Sequence, residues 1–318
     1  MVFDILIGKY KLSLLESVEI TKNVDSLADT AVITVPGTAY NQALHIEEKV
    51  KRGDKIVIKI GYGDVSESPP EFGGYLLNIG TDNGNLTFSC ENSIFLTRVA
   101  VADKVFNQTT VKQLLEYVAD TLGFTVSCSY DFKYDTFTIV KATGYDVLKK
   151  IKDETGANIY IKDSVIHMHP AYTEITGSVK YNFSKNIETS ELKYKTTEDR
   201  KFQVEVEGIG RDGKRITTTI GTPGGDKRSI KIYGIYDVEM LKKRGEEEMK
   251  YLVYDGYEGS ITGWLLPRVE PGCSAHIRDV DYEYKNGWYF VVSVKTTFSP
   301  SGGARKVELG RKLSGANG

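Results

Sequence analysis

The sequence predicts a mainly β protein with an α+β insert, consisting of two similar small antiparallel β-barrels plus a compact α/β domain. Its 31 glycines and 20 tyrosines in 318 residues suit turn-rich β structure, because tyrosine favours half-buried strand surfaces. Short apolar strands and turn signals occur near both ends of the chain. In the middle, a 3.6-residue apolar period replaces them and indicates helices.

We expect three regions along the chain. Residues 1–98 form a first β-barrel module, residues 99–172 a small α/β domain, and residues 173–318 a second β-barrel module. The second module contains a helix at 236–254 and inserted strands. A chain of this length has room for two or three domains and for substantial cores.

Alternating apolar residues predict the strands of the first module. The clearest of them, 29–35, ends at Pro36-Gly37, a pair through which a helix does not continue. The segment 38–48 is ambiguous and is compatible with one turn of helix. About six or seven strands are enough to close a small barrel or sandwich. The predicted strands are 3–7, 12–20, 29–35, 56–60, 74–79 and 86–90.

Two amphipathic helices and two strands are predicted in the α/β domain. The first helix follows the N-cap residue Thr110 and stops at Gly123. The second includes Tyr145–Ile151 and stops at Gly156. The strands are expected at 124–128 and 158–161. This order predicts two helices packed against a small sheet.

The last region returns to strands. The turn signals Pro271-Gly272, Asn286-Gly287 and Gly302-Gly303 separate the final ones, which is typical of an antiparallel meander. The tail at 314–318 is expected to fray. The earlier strands predicted here are 179–183, 191–196, 202–209, 214–220 and 228–233.

The helix at 236–254 has an apolar face that includes Val238 and Leu241. Three basic residues on it precede glutamates by four positions, which is the weaker order for helix ion pairs. We interpret these charges as a solvated face. The pairs are Lys242–Glu246, Lys243–Glu247 and Arg244–Glu248.

Two stretches far apart in the chain follow the same pattern. Val50-x-x-Gly53 matches Val269-x-x-Gly272, and Gly73-Gly74-Tyr75 matches Gly287-Trp288-Tyr289, with a third strand behind each. A turn-forming glycine explains either copy alone. The ordered pair of matches favours a duplicated β-module, and such a repeat decides how the whole fold is interpreted.

Charge and cysteine content exclude several classes of protein. The 41 basic and 43 acidic residues give no preference for nucleic acid or an anionic membrane. Cys90, Cys128 and Cys273 lack CxxC spacing, so we expect reduced thiols made in a cytoplasm. No apolar run approaches the roughly 20 residues of a membrane helix. We therefore expect a soluble protein without a membrane anchor or secretory signal.

Two short motifs invite a chemical interpretation. Residues 208–215 nearly match a phosphate-binding loop, but Arg215 stands where Ser or Thr is needed and both flanks look like strands, so Asp212-Gly213 indicates a hairpin turn. His167 and His169 share one strand face and could begin a metal site. No further ligand cluster accompanies them, and a solvated strand is the simpler interpretation.

No other pattern indicates catalysis. The chain lacks a Gly-x-Ser-x-Gly elbow, and its cysteines lie in no catalytic signature. Carboxylates are plentiful, but no pair stands out as the acid and base of a glycosidase. We predict no enzyme activity, no cofactor and no metal site.

The last third of the chain carries a family resemblance. Its features are the helix 238–252, the segment 257–267, the Pro271-Gly272 turn, the strand 287–294 and the glycine hairpin at 298–303. Together with the order of the modules, they resemble the baseplate hub proteins of phage tails. This group includes the late control gene D proteins, the Mu-type hub and the amino-terminal part of type VI secretion spike proteins. Cys273 departs from the aspartate that is frequent in the family, whereas Asp54 keeps it in the first copy.

The resemblance implies a homotrimer in the tail baseplate of a virion, assembled in the bacterial host cytoplasm. Two similar barrels in each of three chains would form a pseudo-sixfold ring. Such a ring would meet the hexameric tail tube protein ring on one side and a trimeric central spike protein on the other. Other baseplate proteins would also contact it, and DNA would pass through the channel only as transient cargo. We expect any spike or lytic domain to be a separate protein.

Three aromatic residues are our candidates for the assembly interface: Trp264, Trp288 and Tyr289. Aromatic side chains are enriched at the centres of protein interfaces. The two tryptophans suit a core position equally well.

Two alternatives from other classes remain. A carbohydrate-binding tail fibre or adhesin module would use exposed aromatic residues but would not need a duplicated barrel or a central α/β insert. A peptidoglycan hydrolase of the same particle would need an acid/base carboxylate pair in a cleft.

Overall fold

The computed structural model describes residues 1–37, 46–82, 84–210 and 212–314. The fold is mainly β with an α+β insert, as the sequence predicts. Within the ambiguous segment 38–48, residues 38–45 lie outside the described residues. The remainder belongs to a single helical turn that begins at Ile46.

Strands and helices are numbered here in chain order. The strands are β1 (Val2–Ile7), β2 (Tyr10–Lys11), β3 (Ser17–Asn23), β4 (Thr30–Val35), β5 (Lys55–Gly61), β6 (Phe72–Asp82), β7 (Asn85–Glu91), β8 (Lys104–Thr110), β9 (Thr125–Cys128), β10 (Lys133–Ile139), β11 (Asn158–Lys162), β12 (Val165–His169), β13 (Ser178–Asn182), β14 (Thr189–Lys195), β15 (Phe202–Ile209), β16 (Arg215–Gly221), β17 (Asp226–Tyr233), β18 (Gly256–Gly263), β19 (Ser274–Arg278), β20 (Gly287–Ser299) and β21 (Gly302–Lys312). The helices are α1 (Ile46–Lys49), α2 (Val111–Leu122), α3 (Gly144–Thr155) and α4 (Val238–Leu252), with 3-10 turns at Ser93–Thr97, Thr197–Asp199 and Glu283–Lys285.

The chain forms two compact units. The first, which we call the sheet unit, combines Met1–Phe95, Ile175–Lys193 and Glu258–Gly318. The second, the helix unit, combines Leu96–Glu174 and Tyr194–Tyr257. Strands β15 to β17 and helix α4 therefore belong to the helix unit. The three modules with boundaries at 98 and 172 stay a prediction.

One hydrogen-bonded sheet runs through the sheet unit. Its strand order is β14-β18-β21-β20-β3-β4-β7-β6-β5-β1-β2, with β19 also paired to β20 and β13 to β19. Strands from both predicted β-modules thus share one sheet, and they meet where β3 pairs with β20. Closure of each module into its own barrel stays a prediction.

Period-two alternation builds the core of the sheet unit, because every second side chain of a strand points to the same face. Ile5 and Ile7 of β1 and Ile56 and Ile58 of β5 are fully buried. They join one apolar cluster with residues from both ends of the chain. Other members of the cluster are Val18, Ile20, Ile33, Leu76, Phe88, Leu265 and Phe298.

The meander predicted at the end of the chain is confirmed. Strand β20 pairs antiparallel with both β19 and β21. The hairpin between β20 and β21 turns at Ser299 and Gly302, which face each other in the register. The two strands are therefore much longer than the short ones expected from the sequence.

Both predicted helices of the α/β domain are confirmed within the helix unit. Thr110 accepts a hydrogen bond from the backbone N–H of Gln113, and Gly123 ends α2 in the left-handed conformation. Helix α3 is capped by Thr143 and ends at Gly156 in the same way. Cap residues of this kind satisfy backbone groups that the helix itself leaves unpaired.

The paired strands β8 and β10 were not predicted. Strand β8 is mostly exposed and polar, so it has no apolar alternation. In β10, the alternation of buried side chains breaks in the middle of the strand, between the buried Tyr134 and Phe137. The alternation of apolar and polar residues that identifies other strands is therefore absent from β8 and interrupted in β10.

Helix α4 packs against β15 and β16, and its charged face is only partly as predicted. Arg244 and Glu248 are both buried and form an ion pair of 2.8 Å, so the expectation of a solvated pair was wrong here. The guanidinium also donates from Nε to the Glu154 backbone oxygen at 2.9 Å. A three-stranded sheet with the order β16-β15-β17 completes this part of the unit. Among the described residues, we find no helix that combines the length and apolar character needed to cross a membrane.

A pair of adjacent glycines in β6 provides a test of the packing. A methyl group on Gly74 would lie 2.1 Å from the backbone oxygen of Glu91, whereas a methyl group on Gly73 would meet no atom within 4 Å. We expect Gly74→Ala to lower the free energy of unfolding by about 1–3 kcal/mol because the strand must shift. Gly73→Ala is the matched control and should change it by less than about 0.5 kcal/mol.

Urea unfolding monitored by tryptophan fluorescence measures both variants. Equal unfolding midpoints for the two would show that the β6–β7 contact is not as close as described.

Candidate assembly surface

The first copy of the repeated pattern is a turn that is fixed to the strand beside it. Gly53 has a φ of +93°, a conformation that favours glycine. Its N–H donates to the oxygen of Leu76 at 2.8 Å, and the N–H of Leu76 donates to the oxygen of Asp54 at 2.9 Å. The N–H of Asp54 closes the turn on the oxygen of Lys51 at 2.9 Å.

The second copy has the same hydrogen bonds. Gly272 has a φ of +84°, and its N–H donates to the oxygen of Val291 at 2.9 Å. The N–H of Val291 donates to the oxygen of Cys273 at 2.9 Å, and Cys273 closes the turn on Glu270 at 3.2 Å. Because backbone atoms make these bonds, cysteine can stand where the first copy has Asp54.

The strand registers extend the match but correct its alignment. In the first copy Ile56 faces Gly74, and in the second Ala275 faces Tyr289. Gly73-Gly74-Tyr75 therefore corresponds to Trp288-Tyr289-Phe290, one residue beyond the alignment predicted from the glycines. The glycines misled because they serve different contacts. A methyl group on Gly73, the residue matched with Gly287, would meet no atom within 4 Å, whereas Gly287 leaves room for the Lys312 side chain.

A bulge follows at the same place in both copies. The register between β6 and β7 shifts between Leu76 and Asn78. Between β20 and β21 it shifts between Val291 and Ser293, the corresponding positions. A bulge bends its strand and increases the local twist. We call the three strands β5-β6-β7 and their counterparts β19-β20-β21 the repeated module.

The two copies of the repeated module are joined by strand β3. It pairs antiparallel with β20 from Val18–Phe298 to Asn23–Ser293. It also pairs with β4, which lies against β7 of the first copy. A side-chain ion pair of 2.6 Å between Lys22 and Glu270 also stabilises this junction.

A buried ion pair lies at the centre of the junction. Arg305 and Glu71 form two contacts, 2.7 Å from Nη1 to Oε1 and 3.2 Å from Nη2 to Oε2. Both residues are almost completely buried. The guanidinium also donates from Nε to the oxygen of Leu265 at 3.2 Å and from Nη1 to that of Val269 at 3.3 Å. The planar fork of arginine suits this two-point geometry.

The surrounding charges decide the protonation of Glu71. Burial alone would raise the pKa of its carboxyl, but the hydrogen bond and charge of Arg305, together with Lys22 and Arg268, outweigh burial and lower the pKa. The carboxylate is therefore ionised at neutral pH. Arg268 connects the cluster to Glu270 through a 3.1 Å contact. Nearby, burial raises the pKa of Asp29, although the charge of Lys22 opposes that shift.

The three predicted interface residues lie in different surroundings. Trp264 is 48% exposed. Trp288 is half-buried and its ring lies edge-on to His276 at 4.9 Å between centroids. Tyr289 is fully buried within the chain, and its hydroxyl donates to the oxygen of Lys285 at 2.6 Å. The three residues have no surroundings in common, and their role at an interface stays a prediction.

The other candidate motifs have surroundings that a structural role explains. Residues 208–210 and 212–215 lie at the end of the antiparallel β15–β16 hairpin, as predicted, with Gly213 in the left-handed conformation. The rings of His167 and His169 both contact the ring of Tyr160. His169 also contacts Glu174 at 3.1 Å. In the described parts of the chain no three His, Cys, Asp or Glu side chains are grouped to hold a metal ion.

All three cysteines are free, as predicted. Cys90 and Cys273 are buried and Cys128 is half-buried. Burial raises the pKa of the Cys90 thiol to about 12, so this group is neutral and unreactive at ordinary pH.

Sequence reasoning missed the ion pairs at the junction. Glu71 and Arg305 are separated by 234 residues, and Lys22 and Glu270 by 248. Each residue alone is typical of a surface position, because charged side chains are rarely buried unless they are paired. One signal was available for Arg305: it stands where the alternation of the last strand places an inward side chain between Gly303 and Val307.

Comparisons with solved structures identify the fold. The chain is similar to the 43 kDa tail protein of prophage MuSo2 from Shewanella oneidensis, with a TM-score of 0.65 and 14% identity over 97% of this chain and 98% of that one. It is also similar to the tail protein from Neisseria meningitidis MC58, with a TM-score of 0.66 and 14% identity over 99% and 97% of the two chains. The chain has the fold of a phage tail protein.

The same fold occurs outside phages. The c3393 protein of E. coli, a component of the type VI secretion system described as structurally similar to the T4 tail proteins gp27 and gp5, matches with a TM-score of 0.61 and 8% identity. That match covers 98% of this chain and 77% of the other. No protein-family model matches the sequence. No curated protein sequence matches it either. The resemblance to phage tail hub proteins that the sequence indicated is thus confirmed at the level of fold.

Glu71→Gln tests the buried ion pair. The variant leaves the Arg305 charge buried without its partner, so we expect a loss of about 3–5 kcal/mol in the free energy of unfolding at pH 7. The folded-state pKa of Glu71 is lowered. Its contribution is therefore fully present above the unfolded pKa of about 4.3 and disappears as the pH falls through the lower, folded value.

Urea unfolding of both proteins between pH 7 and pH 3 measures this difference. The gap between wild type and variant should narrow on acidification below about pH 4.3. Glu67→Gln, which removes an exposed carboxylate, is the matched control and should have little effect. A gap that stays constant down to pH 3 would contradict the assignment.

Proposed function

We propose that this chain is a structural baseplate hub of a phage tail or of a related contractile injection particle. The observation that carries the proposal is the repeated module, with its turn, hydrogen bonds and bulge present twice in one sheet. The fold shared with prophage tail proteins supports it. The family resemblance in the sequence implies a ring of three chains. In such a ring a repeated module is useful because it provides six similar surfaces.

In the proposed mechanism, the hub acts only through the arrangement of its binding surfaces. Three copies of the chain, each with two repeated modules, present six similar surfaces around one axis. Such a pseudo-sixfold ring joins a hexameric tail tube protein on one face. Its true threefold symmetry seats a trimeric central spike protein on the other. The hub thereby resolves a symmetry mismatch without any chemical step, and we propose no catalytic residue, cofactor or resident metal.

The remaining assignments follow from this role. The proposed location is the tail baseplate of a virion, after assembly in the host cytoplasm. Other baseplate proteins are further partners, and DNA passes through the channel as transient cargo. A ring of this kind typically buries several thousand Å² in total.

A carbohydrate-binding role is the second candidate because exposed aromatic residues are present. Tyr282 and Tyr284 are more than half exposed and lie 6.3 Å apart between ring centroids. Sugar rings pack against aromatic faces of this kind. Glycan-array binding that is lost in the Tyr282→Ala and Tyr284→Ala variants would support this function instead.

Light scattering and electron microscopy of the purified protein test the hub proposal. We expect a particle of three times the 35.4 kDa chain mass, seen in class averages as a ring with a central channel and six similar lobes. Measurement over a range of protein concentrations separates a stable trimer from weak association.

A compact particle without paired lobes would contradict the proposal. Monomers at every concentration would contradict a ring that forms without its partners. The compact particle would make glycan binding the first hypothesis.

A further inference from the structure

The two copies of the repeated module differ in the strand that lies beside the segment after the bulge. In the second copy, Ser293–Phe298 of β20 pairs with β3 on the side away from β21. The corresponding segment of β6 begins at Asn78 and ends at Asp82. Within β6, strand β5 pairs only with Phe72–Tyr75. In the described chain, no other strand than β7 lies beside Asn78–Asp82.

Burial reflects this difference. Val294 and Thr296 of β20 are buried, whereas their counterparts Ile79 and Thr81 of β6 are half-buried and exposed, respectively. The sequence at these positions has kept the alternation of an inward-facing strand. A neighbouring strand would cover Ile79 and Thr81 as β3 covers Val294 and Thr296. An open edge of this kind is a template for pairing with another chain.

The strand that corresponds to β3 in the second copy is β14. In the first copy the order outward from β7 is β4 and then β3, and in the second copy the order outward from β21 is β18 and then β14. Strand β3 uses its outer edge to pair with β20. The outer edge of β14 ends the sheet, because β18 is its only partner among the described strands. Among the described residues, β6 therefore has a segment without a neighbour on one side, and β14 has a free outer edge in the position that corresponds to β3.

We propose that β14 of one copy of this chain pairs antiparallel with residues Asn78–Asp82 of β6 in the next copy. This inference rests on the proposed ring and identifies the edges that close it. The contact repeats between chains what β3 and β20 do within one chain. It is head-to-tail, so it forms a closed ring or an open filament according to the rotation it imposes. In the proposed ring, two junctions of the same type alternate around the axis and the ring closes after three chains.

The side chains of β14 fix the register. Leu192 is half-buried and lies between the exposed Glu191 and Lys193, so it takes an inward position like those of Val18 and Ile20 in β3, and the proposed register aligns it with Ile20, which faces Thr296. Leu192 then faces Thr81 of the next chain, and Lys193 faces Gly80. A slip by one residue would turn every side chain of the strand to the opposite face.

The proposed register places the exposed Glu191 of β14 opposite Asp82 of the next chain, and like charges directly opposite each other weaken a strand pair. Charges are often placed on edge strands to prevent association. Strand β3 also carries an exposed charge, Glu19, and it is paired nevertheless, with a 2.8 Å contact to Lys295 of β20. Glu191 is contacted by Lys306 of β21 in its own chain at 3.3 Å, and this ion pair offsets part of the repulsion from Asp82.

Cysteine cross-linking tests the pairing in the whole chain. Gly80→Cys and Lys193→Cys are combined with Cys128→Ser, which removes the half-buried native thiol. Cβ atoms of directly opposite residues lie about 4.5–5.5 Å apart in antiparallel sheets. The nearest atom to a Cβ at Gly80 is the side-chain oxygen of Thr87 at 3.1 Å, which has room to rotate. With a short bis-methanethiosulfonate reagent, we expect the main denatured band to shift from one chain to three.

Two controls separate the proposed contact from chance collisions. Gly80→Cys with Leu192→Cys places the thiols on opposite faces of the paired strands and should not cross-link. An equal mixture of the two single-cysteine proteins should give covalent dimers and nothing larger, because each chain then has only one reactive end.

Light scattering on the same samples distinguishes the outcomes. Trimers that do not cross-link, or that cross-link only through the Leu192 control, would overturn the strand pairing while the proposed hub remained. A cross-link confined to a single chain would overturn it as well. Monomers without cross-links at every concentration would count against the ring and the strand pairing together.

Discussion

The buried ion pair between Glu71 and Arg305 is the interaction on which the joined sheet depends. It lies where the first copy of the repeated module meets the second, and both side chains are almost entirely removed from water. Removing an ion from water costs several kcal/mol, and only a close partner with further hydrogen bonds compensates for it. Arg305 has both, through two contacts to the carboxylate and two to backbone oxygens. A different relative placement of the two copies would leave both charges buried without these partners.

Local features of the fold were predictable because neighbouring residues determine them. The ends of α2 follow from Thr110 and Gly123, whose capping bonds reach only a few residues. The turns at Gly53 and Gly272 follow from the backbone conformation that glycine allows. The junction was not predictable, because the partners of Glu71 and Lys22 lie more than two hundred residues away. No period or spacing in the sequence connects such positions.

The one-residue error in aligning the copies has the same origin. The alignment matched Gly73 with Gly287, yet only Gly287 has a neighbouring side chain, that of Lys312, in the space that a Cβ atom would need. Hydrogen bonds between strands, which the sequence does not display, give the true correspondence. The buried Arg244 and Glu248 illustrate a further limit, since the charge pattern of a helix does not reveal which neighbour covers it.

The correspondence between the copies also explains why three chains, rather than six single modules, would form the ring. Under the register described here, Glu71 and Arg305 correspond to Asn286 and Leu86, which have no charge with which to repeat the ion pair. Glu270, the partner of Lys22, corresponds to the basic Lys51. A junction built on β14 and β6 would therefore copy the backbone pairing of β3 with β20 but not its charges. The junction that holds the two ion pairs would lie within each chain and the junction that lacks them between chains, so that the ring would repeat six times in its strand pairing but three times in its side-chain contacts.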